Sequence, residues 1–501
     1  VVFPPKKVYN TSRMNTSAMV DRGLSAFFRR HGILVLLGVL TLLRVVLSAK
    51  LQLHPDEAYY WLWSTRLDWS YFDHPPMVAY FIRATTLLSQ AEFFVRLSAL
   101  LTFVAGLWML WRLARELFGD DRAAWYALLV FNVYPMNAAA FIMTPDIPLI
   151  FFWLAAMWAT WRAVGTGKPS WWVAAGALMG LAMLSKYNGV LLIGSMFGHL
   201  LVSDEHRRHL RTPWPYVASA VACALFVPVV AWNAAHEWVS FRYQLTHGVP
   251  SRPGSWENVS TYFFGQVAAM GLILGFASVY AAFRAYFSRR PGVEFAGVYA
   301  LVPFLVFGVT SFKAVAEMNW PACAYPAFAL AAGWWFATTA APFVRKLLRW
   351  GTGFAVGLIL LVYLHGGFRI LPLEYLNTQW VAQDQTNWFY GWREFARYVD
   401  RLDFHVPITT TNHQLAAELH YYLRRPRRIY FNWNQFGVWE REPMPPRSVC
   451  INYRTDNLTP PADRSTFDRL RFVGEYHARR GRSVIRSYYL NEISRDAYCS
   501  F

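Results

Sequence analysis

Apolar runs of roughly 16 to 22 residues recur along most of the chain, and that is the length an α-helix needs to cross the hydrocarbon of a bilayer. They lie near residues 33–49, 95–111, 123–142, 147–163, 171–185, 189–202, 215–232, 262–283, 294–310, 321–340 and 352–367. The pattern predicts an α-helical polytopic membrane protein with about eleven transmembrane helices. Composition points the same way: 55% of the 501 residues are hydrophobic and only 16% are charged, a balance outside the soluble range. Twenty-four tryptophans and 27 tyrosines suit aromatic belts at the headgroup level. A net charge of +18 would suggest nucleic acid in a soluble chain, so the placement of the basic residues decides its meaning.

Every second loop is basic. Arg29 and Arg30, Arg112 and Arg115, Arg162 and Lys168, Arg207, Arg208 and Arg211, Arg284, Arg289 and Arg290, and Arg345, Lys346 and Arg349 fall on one side. By the positive-inside rule that side is the cytoplasm, with the tail beyond the last span outside, as in a bacterial inner membrane. This accounts for most of the charge without a nucleic-acid partner. Residues 1–30 are polar and lack a short apolar h-region, so the first span is expected to act as an uncleaved signal. Neither a fixed-period repeat nor the inverted pair of broken spans common in transporters is visible.

After residue 367 the hydropathy collapses and helical and strand-like segments alternate: GWREFARYVDRL, VPITTT, NHQLAAELHYYL, RIYFN, SVCIN and SVIRSYYLN. Residues 1–367 therefore read as a membrane domain and 368–501 as a small soluble α/β domain outside it. Four cysteines are too few for a disulfide scaffold. Cys223 and Cys323 fall in spans, whereas Cys450 and Cys499 share the outer domain and are expected to pair.

The outside face carries charge that no basic-loop rule explains. Its first loop, 50–94, is too polar to cross a bilayer and too aromatic for a free linker. Tyr59, Tyr60, Trp61 and Trp63 suggest an interfacial helix up to Thr65, and Pro75-Pro76 would start another at Met77. Asp56 and Glu57 then sit at a helix start, where the plainest role is capping. On the same side lie Asp73 and His74, Asp146, Lys186, Arg242 and Tyr243, and Lys313 with Glu317 and Asn319. Ionisable groups at membrane depth are functional candidates, although Lys186 and Lys313 could instead snorkel to headgroups and Arg242 could pair with Glu237. Carboxylates beside cations suit transfer of a group from a lipid phosphate. One carboxylate takes the acceptor's proton, and the cations hold the departing phosphate.

The segments HPDEAYYW at 54–61, YFDHPP at 71–76, FFVRLSAL at 93–100, TPD at 144–146, GLAMLSKYNGVLL at 180–192 and SFKAVAEMNWPACAYPA at 311–327 together resemble the GT-C glycosyltransferases. Within these the chain is most similar to the protein-mannosyltransferase-like and aminoarabinose-transferase-like branch, and the resemblance runs through nearly the whole sequence. It implies a soluble lid over the active-site face, a sugar donor carried on undecaprenyl or dolichyl phosphate, and an acceptor such as lipid A, lipopolysaccharide core or a protein hydroxyl.

Carried onto this sequence, the resemblance implies Asp56, Glu57 and Asp146 as the catalytic carboxylates, with Asp56 the base of an inverting displacement. It leaves His74, Lys186, Arg242 and Lys313 for the donor phosphate, and Tyr59, Tyr60, Asp73, Tyr243, Glu317 and Asn319 for substrate. His74 departs from the family, because aminoarabinose transferases have Glu and Lys where this chain has Asp73 and His74, and imidazole charge depends on pH. NQFGVWE at 434–440 reads equally as a family loop or an aromatic turn. No cofactor is required by this reading. A divalent metal on Asp73 or Glu57 with a histidine would be compatible with relatives, but no HExxH or CxxC pattern supports one. The expected state is a monomer. A transporter or flippase of lipid-linked sugars is the alternative, but it would bury its ionisable groups at the midplane between helices, whereas most here lie at the outer interface.

The topology is directly testable. A cysteine introduced beside Arg289 is expected to resist an impermeant thiol reagent in intact cells; its labelling would invert the assignment of faces.

Overall fold

The structure is a computed structural model that describes residues 16–248, 254–373, 378–410, 412–431, 434–439, 445–455 and 471–494. Two compact units divide at Leu43 and Arg44, and the candidate site lies in the second. Among the described residues six helices are long and apolar enough to cross a membrane: His31–Lys50, Glu92–Phe118, Asp146–Thr166, Trp214–Ala235, Pro291–Ser311 and Pro342–Phe368.

The remaining expected spans are helical but shorter or broken. The segment expected at 123–142 is helical over Asp121–Asn132 and then changes to a 3-10 turn at Pro135–Ala139, because a proline bars Tyr134 before it from continuing a helix. The segment at 262–283 is not one straight span. It is a pair of helices, Trp256–Ala269 and Ile273–Tyr286, bent by 107°, and Gly271 at the corner has φ +89°, a conformation glycine adopts without strain. Counting that pair as one gives seven spans by length and composition. Pro169–Ser185 and Leu191–Val202 are separated by a break at Lys186 and a 3-10 turn at Tyr187–Val190.

Both helices expected in the first loop are present, as Pro55–Thr65 and Met77–Thr86. The capping expected of Asp56 is not. The His54 imidazole caps the first of them, accepting from the Asp56 N–H, while Glu57 returns a carboxylate oxygen to the His54 N–H. This reciprocal box satisfies two orphan amides and leaves the Asp56 carboxylate out of the cap.

Glu57 also organises the segments around the first loop. Its carboxylate meets Arg96, near the start of Glu92–Phe118, with Arg96 Nη2 donating to Glu57 Oε2 at 2.6 Å and both side chains fully buried. Arg96 gives its remaining donors to the carbonyls of Ser48, Leu51 and Gln52, where the first helix ends. Those carbonyls have no intrahelical partner and lie at the negative end of the helix dipole. The Met143 N–H completes the group by donating to Glu57 Oε1 at 3.1 Å. One buried pair therefore ties together the end of the first helix, the start of Pro55–Thr65, the helix Glu92–Phe118 and the segment leading into Asp146–Thr166.

The C-terminal segment folds as the sequence pattern suggests, with helices Trp392–Arg401 and His413–Tyr422 and strands β1 (Ile408–Thr410), β2 (Ile429–Tyr430), β3 (Arg447–Arg454), β4 (Arg471–Arg480) and β5 (Ser483–Ser494). Strand β4 was not foreseen. The sheet order is β2-β1-β3-β5-β4, parallel at β2-β1-β3 and antiparallel at β3-β5-β4. Its hydrophobic side joins Trp392, Phe395 and Tyr488 to Tyr59, Trp63 and Tyr71 of the first loop in one core. Polar ties reinforce that seat: Gln52 accepts from the Trp392 N–H and donates to Glu394, and the Tyr422 hydroxyl accepts from the Leu53 N–H. Cys450 is disulfide-bonded; the partner expected for it, Cys499, lies outside the described residues.

Removing one partner of a buried ion pair strands the other. Arg96→Met is expected to cost about 3–5 kcal/mol in detergent unfolding, and adding Glu57→Gln should recover part of that loss. A cost under about 1 kcal/mol would show that the pair carries little.

Candidate active site

Asp56 occupies the first turn of Pro55–Thr65 with its side chain 40% exposed. Gln414 Nε2 donates to Asp56 Oδ1 at 2.6 Å, and the other oxygen faces His54 Nδ1 across 3.7 Å, beyond a hydrogen bond. Tyr60, one turn along the same helix, is buried. Burial pushes its hydroxyl well above the ordinary phenol value, and the charges of Asp56, Asp73 and Asp146 push it further. Three carboxylates contributed by three separate segments thus act on one ring.

Asp146 opens the helix Asp146–Thr166, where the dipole favours an anion. Lys186 donates to both its oxygens, at 2.8 and 3.0 Å, and Asn319 Nδ2 donates to Oδ2 at 2.8 Å. Lys186 can reach because the helix stops there in extended conformation. The stop depends on Gly189: a Cβ at that position would lie 2.5 Å from the Ala182 carbonyl carbon and the Met183 nitrogen. Lys186 and Asp146 are both buried and ion-paired with each other.

Asp73 and His74 follow the helix Pro55–Thr65 in the loop before Pro75-Pro76. Burial raises the Asp73 carboxyl to about 7, opposed by a hydrogen bond from Tyr59 and aided by the Asp56 charge. Burial lowers the His74 imidazole to about 3, with Lys186 contributing. His74 is therefore neutral near pH 7, able to hydrogen-bond but not to act as a cation. Asp73 Oδ2, His74 Nδ1 and Gln435 Nε2 are solvent-shielded and have no partner among the described residues. Gln435 is held against this loop by accepting from the Phe72 N–H and by its own N–H, which donates to the Tyr59 hydroxyl. The stretch at 434–440 is thus part of the site, although Glu440 lies outside the described residues.

Beside Asp73, a cavity of about 530 Å³ is lined by Phe72, His236, Glu237, Arg242, Tyr243 and Asn434, among others. Its rim turns through Glu237 and Trp238, consecutive non-glycine residues at φ +58° and +59°, a costly conformation of the sort found at functional sites. Arg242 is exposed there. A second, apolar slot of about 190 Å³ runs between Phe103, Phe131, Ile150 and Phe151 and ends at Asp146 and Asn319.

Of the residues expected from sequence, Asp56, Tyr59, Tyr60, Asp73, His74, Asp146, Lys186 and Asn319 are brought together, and Arg242 and Tyr243 line the adjoining cavity. Lys313 and Glu317 are exposed on their own loop, with Glu317 reaching the group only through its charge on Tyr243. Glu57 is fully buried against Arg96. Sequence reasoning named no role for Arg96, Gln414 or Gln435. A lone arginine in the apolar run FFVRLSAL was a usable signal for the first, and Gln435 lay in the 434–440 stretch already singled out, whereas Gln414 offered none. No group of three or more metal-ligating side chains occurs among the described residues.

Comparison with known proteins follows this geometry. Residues 73–232 match the family model described as dolichyl-phosphate-mannose-protein mannosyltransferase. The lipid A galacturonosyltransferase RgtD of Rhizobium johnstonii is 29% identical over 316 residues, which is 61% of this chain and 65% of that protein, just short of two thirds of its length. The crystal structure of ArnT from Cupriavidus metallidurans bound to undecaprenyl phosphate superposes with a TM-score of 0.63 at 17% identity, covering 94% of this chain and 99% of that one. The chain therefore has an ArnT-like fold. The apo form of the same ArnT gives a TM-score of 0.59 at 18% identity, with 92% and 98% covered, so the shared fold spans both the helices and the C-terminal segment.

The displaced Asp73 titration has a measurable consequence. A folded chain that holds this proton to about pH 7 binds more protons than an unfolded one, whose aspartate titrates near pH ~4, so stability falls as pH rises between those values. Asp73→Asn should unfold like the parent at pH 4 and be more stable at pH 8. Equal stability at pH 8 would contradict the assignment.

Proposed function

We propose that this chain is an integral-membrane glycosyltransferase that moves a sugar from a polyprenyl phosphate, of the undecaprenyl type, to an acceptor outside the cytoplasmic membrane by a single inverting displacement. The observation that carries the reading is Asp56, a half-exposed carboxylate left free of the helix cap, whose charge acts with those of Asp73 and Asp146 on Tyr60. Asp56 takes the proton from the acceptor hydroxyl as that oxygen attacks the anomeric carbon opposite the phosphate.

The phosphate gains charge as the glycosidic bond breaks, so a fixed cation lowers the barrier more than it tightens ground-state binding. Arg242, exposed in the cavity beside Asp73, is the proposed phosphate ligand, with Lys313 supporting it from the neighbouring loop. Lys186, Asp146 and Asn319 form a neutral hydrogen-bonded unit that orients substrate. His74, uncharged, donates or accepts a hydrogen bond. Tyr59, Tyr60, Asp73, Tyr243 and Glu317 complete the substrate surface, while Glu57 anchors Asp56 through Arg96.

The likeness to RgtD and to ArnT bound to undecaprenyl phosphate supports this donor class and favours a glycolipid such as lipid A as acceptor. The basic loops support a cytoplasmic N-terminus and a periplasmic domain from residue 368. On this reading about eleven helical segments, some broken, make up the membrane domain, and a divalent metal is not required.

Asp56→Asn keeps shape and removes the base. It should fold, bind the polyprenyl-phosphate sugar with near-normal affinity, and lose about 10²- to 10⁴-fold in turnover. Full turnover in Asp56→Asn with loss in Asp146→Asn would move the base to Asp146.

A further inference from the structure

We propose that Gln414, on the C-terminal segment, is a positioning residue that selects which oxygen of the Asp56 carboxylate takes the acceptor proton. The inference rests on the reading of Asp56 as the base.

A carboxylate turns easily about its last bond, a broad two-fold torsion, so a base must be held if one lone pair is to meet the substrate. Gln414 Nε2 donates to Asp56 Oδ1 at 2.6 Å, and only the nitrogen end of an amide can donate to an ionised carboxylate. Gln414 is itself fixed. Its N–H and that of Leu415 donate to the Asn412 side chain, which caps the helix His413–Tyr422 at 2.7 and 3.3 Å. Leu415, Ala416, Ala417 and Leu419 bury the same helix. Next to it, the His413 ring packs on Tyr59 at 4.7 Å and is hydrogen-bonded to Asn434.

Among the described residues the second oxygen of Asp56 has no hydrogen-bond partner. His54 Nδ1, 3.7 Å from it, already accepts the Asp56 N–H and so has no proton to give. Oδ1 is clamped and Oδ2 keeps its lone pairs for the acceptor hydroxyl. The clamp is neutral, which matters chemically: an amide orients the carboxylate without the charge that would make it a poor base, as a lysine or arginine there would. The C-terminal segment thereby contributes a side chain to the chemistry as well as covering it, which makes its docking a condition of turnover.

The test uses the full-length protein in nanodiscs with a polyprenyl-phosphate sugar and its acceptor. Gln414→Met keeps the length of the side chain and removes the donor. Its kcat should fall about 10- to 100-fold, the scale set by a misplaced reacting group, with KM for the donor lipid unchanged. Gln414→Glu can donate only when protonated, so its turnover should climb as pH falls from 8 towards 6 (on the order of the Glu–Asp pair taking up one proton), a response the parent and the Met variant lack. A normal kcat in Gln414→Met alongside an inactive Asp56→Asn overturns the role of Gln414 and leaves the base in place. Full activity in Asp56→Asn overturns the base itself. Loss in both Gln414 variants with no pH response of the Glu variant reduces Gln414 to a packing residue and also overturns the proposal.

Discussion

The candidate site of this protein depends on one buried pair, Glu57 with Arg96. Two charges removed from water cost several kcal/mol each unless their remaining hydrogen-bonding groups are met, and here they are. Every Arg96 donor finds Glu57 or one of three carbonyls at the end of the first helix, and Glu57 also receives the His54 and Met143 amides. The geometry follows from that saturation. Asp56 is adjacent to Glu57 in sequence, and Asp146 lies three residues beyond Met143, so the pair sets the distance between two of the carboxylates while touching neither.

Charge is partitioned around this anchor. Glu57 cancels Arg96 and Asp146 cancels Lys186, while burial holds His74 neutral and keeps the proton on Asp73 to about pH 7. Among the described residues Asp56, Arg242 and Lys313 keep their charges exposed, with the acids Glu237 and Glu317 beside the two cations. On the proposed reading these are the groups a displacement at a lipid phosphate consumes: a free base on one side of the anomeric carbon and fixed positive charge on the other. On the same reading, histidine at position 74, where aminoarabinose transferases have lysine, is compatible with transfer because Arg242 would supply the charge.

Much of this was legible in the chain. Hydrophobic run length located the helices, and the proline pair and the aromatic cluster located both helices of the first loop. The bend at Gly271 and the breaks at Pro135 and Lys186 were not, because hydropathy reports apolar length and is blind to backbone direction. Among site residues, a carboxylate or cation on a polar loop announces itself, so Asp56, Asp146 and Lys186 were visible. Their pairing was not: Asp146 and Lys186 are forty residues apart and meet only because Gly189 lets the chain turn closely on Ala182. Asp56 and Glu57 look alike in sequence and take different roles because only one faces Arg96. Gln414, an ordinary polar residue, acquires meaning only from where the C-terminal segment docks, and the stretch holding Gln435 was visible as a motif without a role.

The central claim is sugar transfer from a polyprenyl phosphate by single displacement, and the stereochemistry of the product measures it most directly. Purified protein, given a polyprenyl-phosphate sugar of defined anomeric configuration and an acceptor, should release free polyprenyl phosphate one for one with product, and proton NMR should show the product's anomeric configuration inverted. A product that retains the donor's configuration, or carrier phosphate that is never released while the intact lipid-linked sugar crosses the membrane, would contradict the account.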